Sequence, residues 1–195
     1  MGESKLERGD YMSLTLYIVR HGEAYSNLND IITNDKESEL TIRGKIQAAA
    51  AGNKIKEMKI DFDAVYSSPY KRAKETCMIA LKTAHLNTKE VVFSPYLIER
   101  NYYRMMGKSI LQNVDLLQDL ETDHKELETY DCEKKRFRRF MKEVRKNYPN
   151  GNILIFTHGL FEQAISKLYT GERPELLGNG GIRIITVDKG HEGSA

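Results

Sequence analysis

Two of the five histidines in this sequence each follow an apolar run and precede a glycine. The run Leu14 to Val19 ends at Arg20-His21-Gly22, and the run Ile153 to Phe156 leads into His158-Gly159. Short apolar runs bounded by turn-forming residues are typical of buried strands. Both histidines are therefore expected at the carboxyl ends of strands, where α/β sheets bind ligands. There an imidazole can act as a nucleophile or carry a proton.

An arginine follows a third apolar segment. The predicted strand Asp63 to Ser68 leads into a helix predicted from Tyr70 to Lys82, and Arg72 lies in its first turn. A helix amino terminus favours anions, and a guanidinium can donate two parallel hydrogen bonds to a phosphoryl group. A strand-end histidine is more often structural than catalytic, and a surface arginine often has no role. The combination of these residues at strand ends nevertheless indicates an anion site.

These motifs resemble those of the histidine phosphatases, the superfamily that includes the cofactor-dependent phosphoglycerate mutases. The resemblance rests on Arg20-His21-Gly22-Glu23 with Asn27, Leu40-Thr41-x-x-Gly44-x-x-Gln47-Ala48, Ser67-Ser68-Pro69-x-x-Arg72-Ala73-x-x-Thr76 and His158-Gly159, in the family's order. It implies that His21 attacks phosphorus to form a phosphohistidine. Arg20, Arg72 and a protonated His158 would hold the phosphoryl oxygens, with Asn27 and Gly159 as further contacts.

The resemblance also places a proton donor for the leaving group just after a third strand, Val91 to Phe93. Glu99 stands there and is the candidate proton donor. The alternative is that Glu99, next to Arg100, is an ordinary surface charge. The family usually shows an aromatic residue and a glycine a few positions on, and here their spacing is altered. Tyr102 and Arg104 follow as candidate substrate-binding residues. A second acidic group of the substrate is a candidate ligand for Arg100, Arg104 and Lys108.

Strands alternate with helices along the chain, which predicts an α/β fold: a three-layer α/β/α sandwich with a mostly parallel sheet. We expect one domain over residues 1–195, with a lid inserted at about 100–131 over the strand carboxyl ends. A solvated helical connector is an equally good interpretation of most of that segment. The last strand is predicted from Ile182 to Val187, after a helix from Phe161 to Tyr169.

Two further helices are predicted. The first runs from Leu40 to Ala51 with Thr41 as its cap, and four residues near helical spacing are expected to face the sheet: Ile42, Ile46, Ala49 and Ile55. The second runs from Glu133 to Tyr148, with an apolar stripe of Phe137, Phe140, Met141 and Val144. Its basic cluster is interpreted as a solvated face rather than a nucleic-acid site, because Glu133 and Glu143 interleave with it.

The composition is that of an ordinary globular protein, with 40% hydrophobic residues and a net charge of +2. So small a charge gives no support for nucleic-acid or membrane binding. The two cysteines, Cys77 and Cys132, lack metal-site spacing and favour a reducing, cytoplasmic location. Met1 to Ser13 has no apolar signal core, and no apolar run reaches about 20 residues. No carboxylate cluster suggests Mg²⁺, so neither metal nor cofactor is expected.

The resulting hypothesis is a metal-independent phosphatase acting on a phosphorylated small molecule, with a phosphoprotein substrate left open. The alternatives are a cofactor-dependent phosphoglycerate mutase and a weakly active phospho-ligand-binding protein. Mutases that resemble this chain generally have a longer excursion and tail that close the site against water, so we expect hydrolysis. Sugar phosphates, phosphoglycerates and nucleotides all remain possible substrates, and the sequence does not indicate an oligomeric state.

Overall fold

The computed structural model describes residues 13–86 and 88–188, which build a five-stranded sheet. The strands are β1 (Ser13–Arg20), β2 (Ala64–Ser67), β3 (Val91–Phe93), β4 (Gly151–Thr157) and β5 (Ile182–Asp188). Their order across the sheet is β3-β2-β4-β1-β5. The first four are parallel, and β5 pairs antiparallel with β1 at the edge. The predicted α/β fold with a mostly parallel sheet is confirmed.

Helices cover both faces of this sheet. They are α1 (Tyr25–Leu28), α2 (Ile42–Met58), α3 (Lys71–Thr83), α4 (Val114–Gln118), α5 (Tyr130–Asn147) and α6 (Gly159–Thr170). Successive side chains of a strand point to opposite faces. Accordingly, Leu16 and Ile18 of β1 pack with α5 and α6, while Tyr17 and Val19 pack with α2 and α3. The result is the three-layer arrangement that the sequence predicts.

Small residues form the buried face of α2, which corrects the sequence-based expectation for this helix. Ile42 and Ile46 are 79% and 66% exposed, whereas Gly44, Ala48, Ala51, Gly52 and Ile55 are buried. The reason is close packing: a Cβ at Gly52 would lie 2.5 Å from the carbonyl oxygen of Ala80 in α3. The predicted cap is confirmed, since the Thr41 side chain accepts a hydrogen bond from the Gly44 backbone N–H.

The apolar stripe predicted for α5 is buried as expected, but Glu133 is not part of a solvated face. It is 1% exposed, and its Oε2 lies 3.6 Å from Nε of the equally buried Arg100. Arg136 also turns inward, where it pairs with the Glu128 carboxylate and donates to the carbonyl oxygens of Tyr96 and Ile98. The basic helix therefore braces the chain on either side of Glu99.

Residues 100–131 pack against the sheet's carboxyl edge through a third apolar cluster. The cluster joins Tyr102, Met105, Leu117 and Leu127 to Ile32 and Leu160. The Arg100 guanidinium fixes this segment by donating to the carbonyl oxygens of Leu117, Asp119 and Glu128. None of the helices between residues 13 and 188, in the part of the chain described, is long and apolar enough to cross a membrane.

Candidate active site

The parallel pairing of β1 and β4 brings the two histidines together. Arg20 is in register with Thr157, and the backbone N–H of His21 donates to the Thr157 carbonyl oxygen at 3.0 Å. The rings of His21 and His158 then meet edge to face, with centroids 5.1 Å apart. Two motifs separated by more than half of the chain thus form one site at the carboxyl edge of the sheet.

Both ring nitrogens of His21 have defined partners. Nδ1 lies 2.7 Å from the carbonyl oxygen of Gly22, so this nitrogen carries the proton. Nε2 accepts from Nε–H of Arg72 at 3.3 Å. Burial, followed by the charges of Arg72 and Arg20, holds the pKa of His21 well below its usual value. The ring is therefore a neutral imidazole whose Nε2 lone pair faces the cationic side of the site.

Close backbone packing fixes the loop that carries His21. A Cβ at Gly22 would overlap the backbone of Gly44 in α2, and a Cβ at Gly44 would overlap the backbone of Glu23. The Gly22 N–H also donates to the Thr76 hydroxyl at 3.0 Å. Both glycines of the motifs are thus needed because two backbones touch, and the contact holds the Gly22 carbonyl against the ring.

The two arginines enter the site from different elements. Arg72, in the first turn of α3, is 4% exposed, and its Nη1 donates to the Asp35 carbonyl oxygen at 2.8 Å. Arg20, the last residue of β1, donates from Nη1 to the Leu177 carbonyl oxygen, and its buried Nε has no hydrogen-bond partner. Burial lowers the pKa of both guanidiniums, and the charge of Glu99 opposes this shift. An arginine nevertheless remains cationic at neutral pH.

His158 lies behind His21 rather than in the wall of the pocket. It is fully buried, its Nε2 lies 2.8 Å from the Ser68 hydroxyl, and its Nδ1 has no hydrogen-bond partner. Burial, with the charge of Arg72 next, holds the pKa of His158 well below its usual value. These surroundings favour a neutral ring in the ligand-free protein, which departs from the expectation of a third cation.

Glu99 is a pocket residue and not a surface charge. Its side chain is 7% exposed and lines the same cleft as Arg20, His21 and Arg72. Its Oε1 accepts from the backbone N–H groups of Arg100 and Phe161, at 2.9 and 3.0 Å. Because Phe161 belongs to the first turn of α6, the helix amino terminus orients this carboxyl group beside the site.

The remaining predicted contacts divide into two groups. Asn27, Tyr102 and Gly159 line the cleft, and the Asn27 side-chain oxygen accepts from the Ala24 N–H, which leaves its NH₂ group to donate. Arg104 is exposed and absent from the lining, so the structure does not bring it to the site. Arg100 is a buried structural residue, which makes its predicted role in anion binding wrong.

The sequence reasoning missed several residues around the site. Ser68 was recognised as part of a motif, but its contact with His158 was not anticipated. Glu162 in α6 is fully buried and accepts from Arg183 and Ser166, both at 2.5 Å. No periodic signal marks the Ser68–His158 and Arg183–Glu162 contacts, because the two members of each lie far apart in the sequence. Among the described residues, no group of three or more His, Cys, Asp or Glu side chains could hold a metal ion.

Comparison with known proteins agrees with this geometry. The family model of the histidine phosphatase superfamily (branch 1) matches residues 16–193. The chain belongs to the histidine phosphatase superfamily. A relative named 2,3-bisphosphoglycerate-dependent phosphoglycerate mutase, from Bartonella henselae, is 38% identical over 96 residues, which are 49% of this chain and 47% of the relative. The chain thus aligns with about half the length of the curated relatives that it matches.

Solved structures of superfamily members share the fold. A phosphoglycerate mutase from Bacillus anthracis superimposes with a TM-score of 0.79 at 21% identity, covering 94% of this chain and 91% of the other. A mycobacterial glucosyl-3-phosphoglycerate phosphatase gives a TM-score of 0.73 at 19% identity, with coverages of 89% and 90%. At these identities the likeness shows the fold alone. Both a mutase and a phosphatase are therefore built on the architecture of this histidine phosphatase.

Proposed function

We propose that this histidine phosphatase hydrolyses a phosphomonoester through a phosphohistidine on His21. The observation that carries the proposal is the state of the His21 ring: Nδ1 is tied to the Gly22 carbonyl oxygen, and Nε2 faces the Arg72 guanidinium. A neutral imidazole with its proton on the far nitrogen is the form that can attack phosphorus. The cation beside that lone pair is suited to holding the phosphoryl group in line.

The first step transfers the phosphoryl group to the protein. Arg20 and Arg72 bind the phosphoryl oxygens, and Asn27 donates to them from its NH₂ group. The Arg72 Nε–H, which donates to the His21 ring in the free protein, donates to a phosphoryl oxygen instead. The Nε2 lone pair forms a bond to phosphorus while the bond to the leaving oxygen breaks. Glu99, in its protonated form, gives its proton to that oxygen. The Nδ1 proton stays on the ring, where the Gly22 carbonyl stabilises the phosphohistidine.

The second step returns the site to its starting state. A water molecule attacks phosphorus, the bond between phosphorus and Nε2 breaks, and Glu99 takes a proton from the attacking water. Inorganic phosphate leaves, His21 is again a neutral imidazole, and Glu99 is again protonated. His158 supports the site from behind His21, where its Nε2 contacts the Ser68 hydroxyl and its Nδ1 has no hydrogen-bond partner.

A phosphoglycerate mutase is the second candidate, and the names of the curated relatives favour it. A mutase needs the same phosphohistidine but returns the phosphoryl group to a bound acid, whose carboxylate requires its own cationic contact. The described lining of the cleft offers two arginines, and both are assigned to the phosphoryl group. That charge count supports hydrolysis over the mutase reaction. The presence of both arginines, His21 and Glu99 in one cleft supports an active enzyme over a weakly active phospho-ligand-binding protein.

The decisive experiment traps the phosphoenzyme. Wild type incubated with a ³²P-labelled ester should carry acid-labile, base-stable label, and His21→Ala should carry none. The matched control is His85→Asn, a change at an exposed histidine outside the cleft. His85 has a left-handed backbone conformation, which asparagine also tolerates. Label on His21→Ala at the stoichiometry of wild type would contradict the proposal. A mutase assay primed with bisphosphoglycerate, run beside phosphate release, separates the two candidate reactions.

A further inference from the structure

We infer that the cleft takes phosphomonoesters whose leaving group is an uncharged apolar chain or ring, an inference that rests on the proposed phosphatase activity. The cleft is open to solvent, and the space in and directly in front of it is about 610 Å³. Part of its lining consists of the polar groups assigned to the phosphoryl oxygens, among them Arg20 and Arg72. The leaving group must lie against the rest of the lining, which we call the outer wall, so the character of that wall determines which esters bind.

The outer wall is predominantly apolar and comes from four parts of the chain. Its apolar members are Ile31, Ile32, Ile110, Val114, Leu117, Leu160 and Leu176. The polar residues beside them, Ser26, Thr33 and Gln118, are uncharged. Burying a methylene group against such a surface is worth about 0.8 kcal/mol, which is about a fourfold gain in affinity. An alkyl or aryl group therefore gains affinity from this wall in proportion to the surface that it buries.

The cationic side chains that the sequence offered for a second acidic group do not line the cleft. Arg104 and Lys108 are exposed and absent from its lining, and the Arg100 guanidinium is committed to three backbone carbonyls. Within the described residues, the arginine and lysine side chains of the lining are Arg20 and Arg72, and both are assigned to the phosphoryl group. A carboxylate or second phosphate on the leaving group would therefore lose water without gaining a cationic partner.

The wall is held in place before any ligand binds. Ile31 bridges to Ser109, and Ile32 exchanges backbone hydrogen bonds with Lys108 and Gly107 at 2.9 and 2.8 Å. These contacts join the loop after α1 to residues 107–110, and Arg100 fixes the carbonyl of Leu117 on the opposite part of the same segment. A surface that is already ordered loses little conformational freedom on binding, so apolar contact is converted efficiently into affinity.

A homologous series of n-alkyl phosphates tests the inference. From propyl to hexyl phosphate the reactivity of the leaving group is nearly constant, so kcat/KM reports contact with the wall. We expect kcat/KM to rise about fourfold per methylene group until the cleft is filled. An ω-carboxyalkyl phosphate of matching length should be at least tenfold poorer than its neutral counterpart. A flat series, or a preference for the carboxylate, would overturn the inference.

A charge introduced at the rim should reverse the discrimination. Val114 lines the cleft and is 39% exposed, so Val114→Lys places an ammonium group at the mouth without burying it. We expect this variant to raise the ratio of kcat/KM for the carboxyalkyl ester to that for the alkyl ester by about tenfold. Leu111→Lys is the matched control, because Leu111 is 77% exposed and lies outside the lining. An equal effect of both variants would assign the change to general electrostatics and contradict the inference.

Binding of n-alkylphosphonates, measured by calorimetry, keeps this inference separate from the proposed hydrolysis. These compounds have no scissile ester bond, so their affinity does not depend on turnover. Phosphonate affinity that rises with chain length, together with no hydrolysis of any of the alkyl phosphate esters, would support the apolar wall and refute the phosphatase. Hydrolysis of short and long esters at equal rates, with phosphonate affinity independent of length, would support the phosphatase and refute the wall. Selective turnover of a phosphopeptide over hexyl phosphate would likewise refute the small apolar leaving group.

Discussion

Arg72 donates its Nε–H to Nε2 of His21 across 3.3 Å, and this contact determines which nitrogen of the ring carries the free lone pair. A donor facing Nε2 requires a lone pair there, so the proton lies on Nδ1, opposite the Gly22 carbonyl oxygen at 2.7 Å. The same guanidinium is the candidate ligand of the phosphoryl group. In the proposed reaction, one side chain therefore selects the tautomer of the nucleophile and binds the phosphoryl group that it attacks.

Replacing Arg72 should affect binding and chemistry together. Arg72→Ala removes a preorganised charge contact, which typically costs on the order of 10²–10³ in rate. Arg72→Lys should recover little, because an ammonium group cannot donate in the planar geometry of a guanidinium. The measurement is phosphoenzyme formation in a single turnover. The control is Lys71→Ala, which removes the neighbouring cation in the same helix turn. Lys71 forms an ion pair with Glu39. A rate for Arg72→Ala within twofold of that control would refute the assignment.

Glu99→Gln should discriminate between leaving groups. The amide keeps the shape of the side chain but cannot give a proton to the leaving oxygen. An alkoxide is strongly basic, so loss of the acid should slow alkyl phosphates by roughly 10²–10⁴-fold, while p-nitrophenolate leaves well unaided and should be slowed little. Rates of phosphoenzyme formation are the appropriate measurement, because slow dephosphorylation would mask the difference in kcat. Equal losses on both esters would place Glu99 in binding or structure, with His158 as the next candidate donor.

Chelation tests the predicted independence from metal ions. The positive charge assigned to phosphoryl binding belongs to the Arg20 and Arg72 side chains, so activity should survive dialysis against EDTA. Vanadate should inhibit competitively, since its five-coordinate form resembles the transition state of the proposed phosphoryl transfer between His21 and the leaving oxygen. Activity that is lost on chelation and restored by Mg²⁺ would require a different source of charge stabilisation.

The sequence predicted the residues that lie at strand ends more successfully than those that reach the cleft across space. His21, Arg72 and His158 each follow an apolar run, and parallel pairing brings such ends to one edge of the sheet. The order of the elements is therefore enough to assemble them. Glu99 could be placed near that edge, but its burial depends on the first turn of α6, which the local sequence does not reveal.

The apolar wall and the role of Arg100 could not be predicted in the same way. Ile31 and Val114 both line the cleft although they are far apart in the chain, so local sequence patterns do not reveal that they share a surface. Charge alone suggested that Arg100 and Arg104 act alike. In the structure the Arg100 side chain is buried and donates to backbone carbonyl oxygens, whereas Arg104 is exposed. Only Arg100 follows directly on the buried Glu99, to which its backbone N–H donates. The misjudged face of α2 has a similar cause, since close helix packing favours small residues over large apolar ones.

The buried neutral state of His158 should make the protein less stable in mild acid. An unfolded histidine binds a proton below about pH 6.5, whereas burial and Arg72 lower the pKa of folded His158. The unfolded state then holds more protons, so stability falls as the pH falls below about 6.5, by up to about 1.4 kcal/mol per pH unit for this residue. His158→Gln should flatten the dependence of the free energy of unfolding on pH between 6.5 and 5, measured in urea without phosphate. His85→Asn, a change at an exposed histidine outside the cleft, is the control. A slope for His158→Gln equal to that of wild type would contradict the predicted contribution of His158.

Gly159 should be needed for its lack of a side chain, because Arg20 lies directly against it. A Cβ at Gly159 would lie 2.8 Å from Nε and 3.0 Å from Cζ of Arg20, so Gly159→Ala must displace that guanidinium. Alanine is the better residue within a helix, and position 159 opens α6, so the free energy of unfolding should change little. We expect kcat/KM for p-nitrophenyl phosphate to fall about 10- to 100-fold with the melting temperature nearly unchanged. Gly178→Ala is the matched control, since a Cβ there meets nothing within 4 Å. Activity of Gly159→Ala within twofold of Gly178→Ala would mean that the position of Arg20 against Gly159 is not required for phosphoryl transfer.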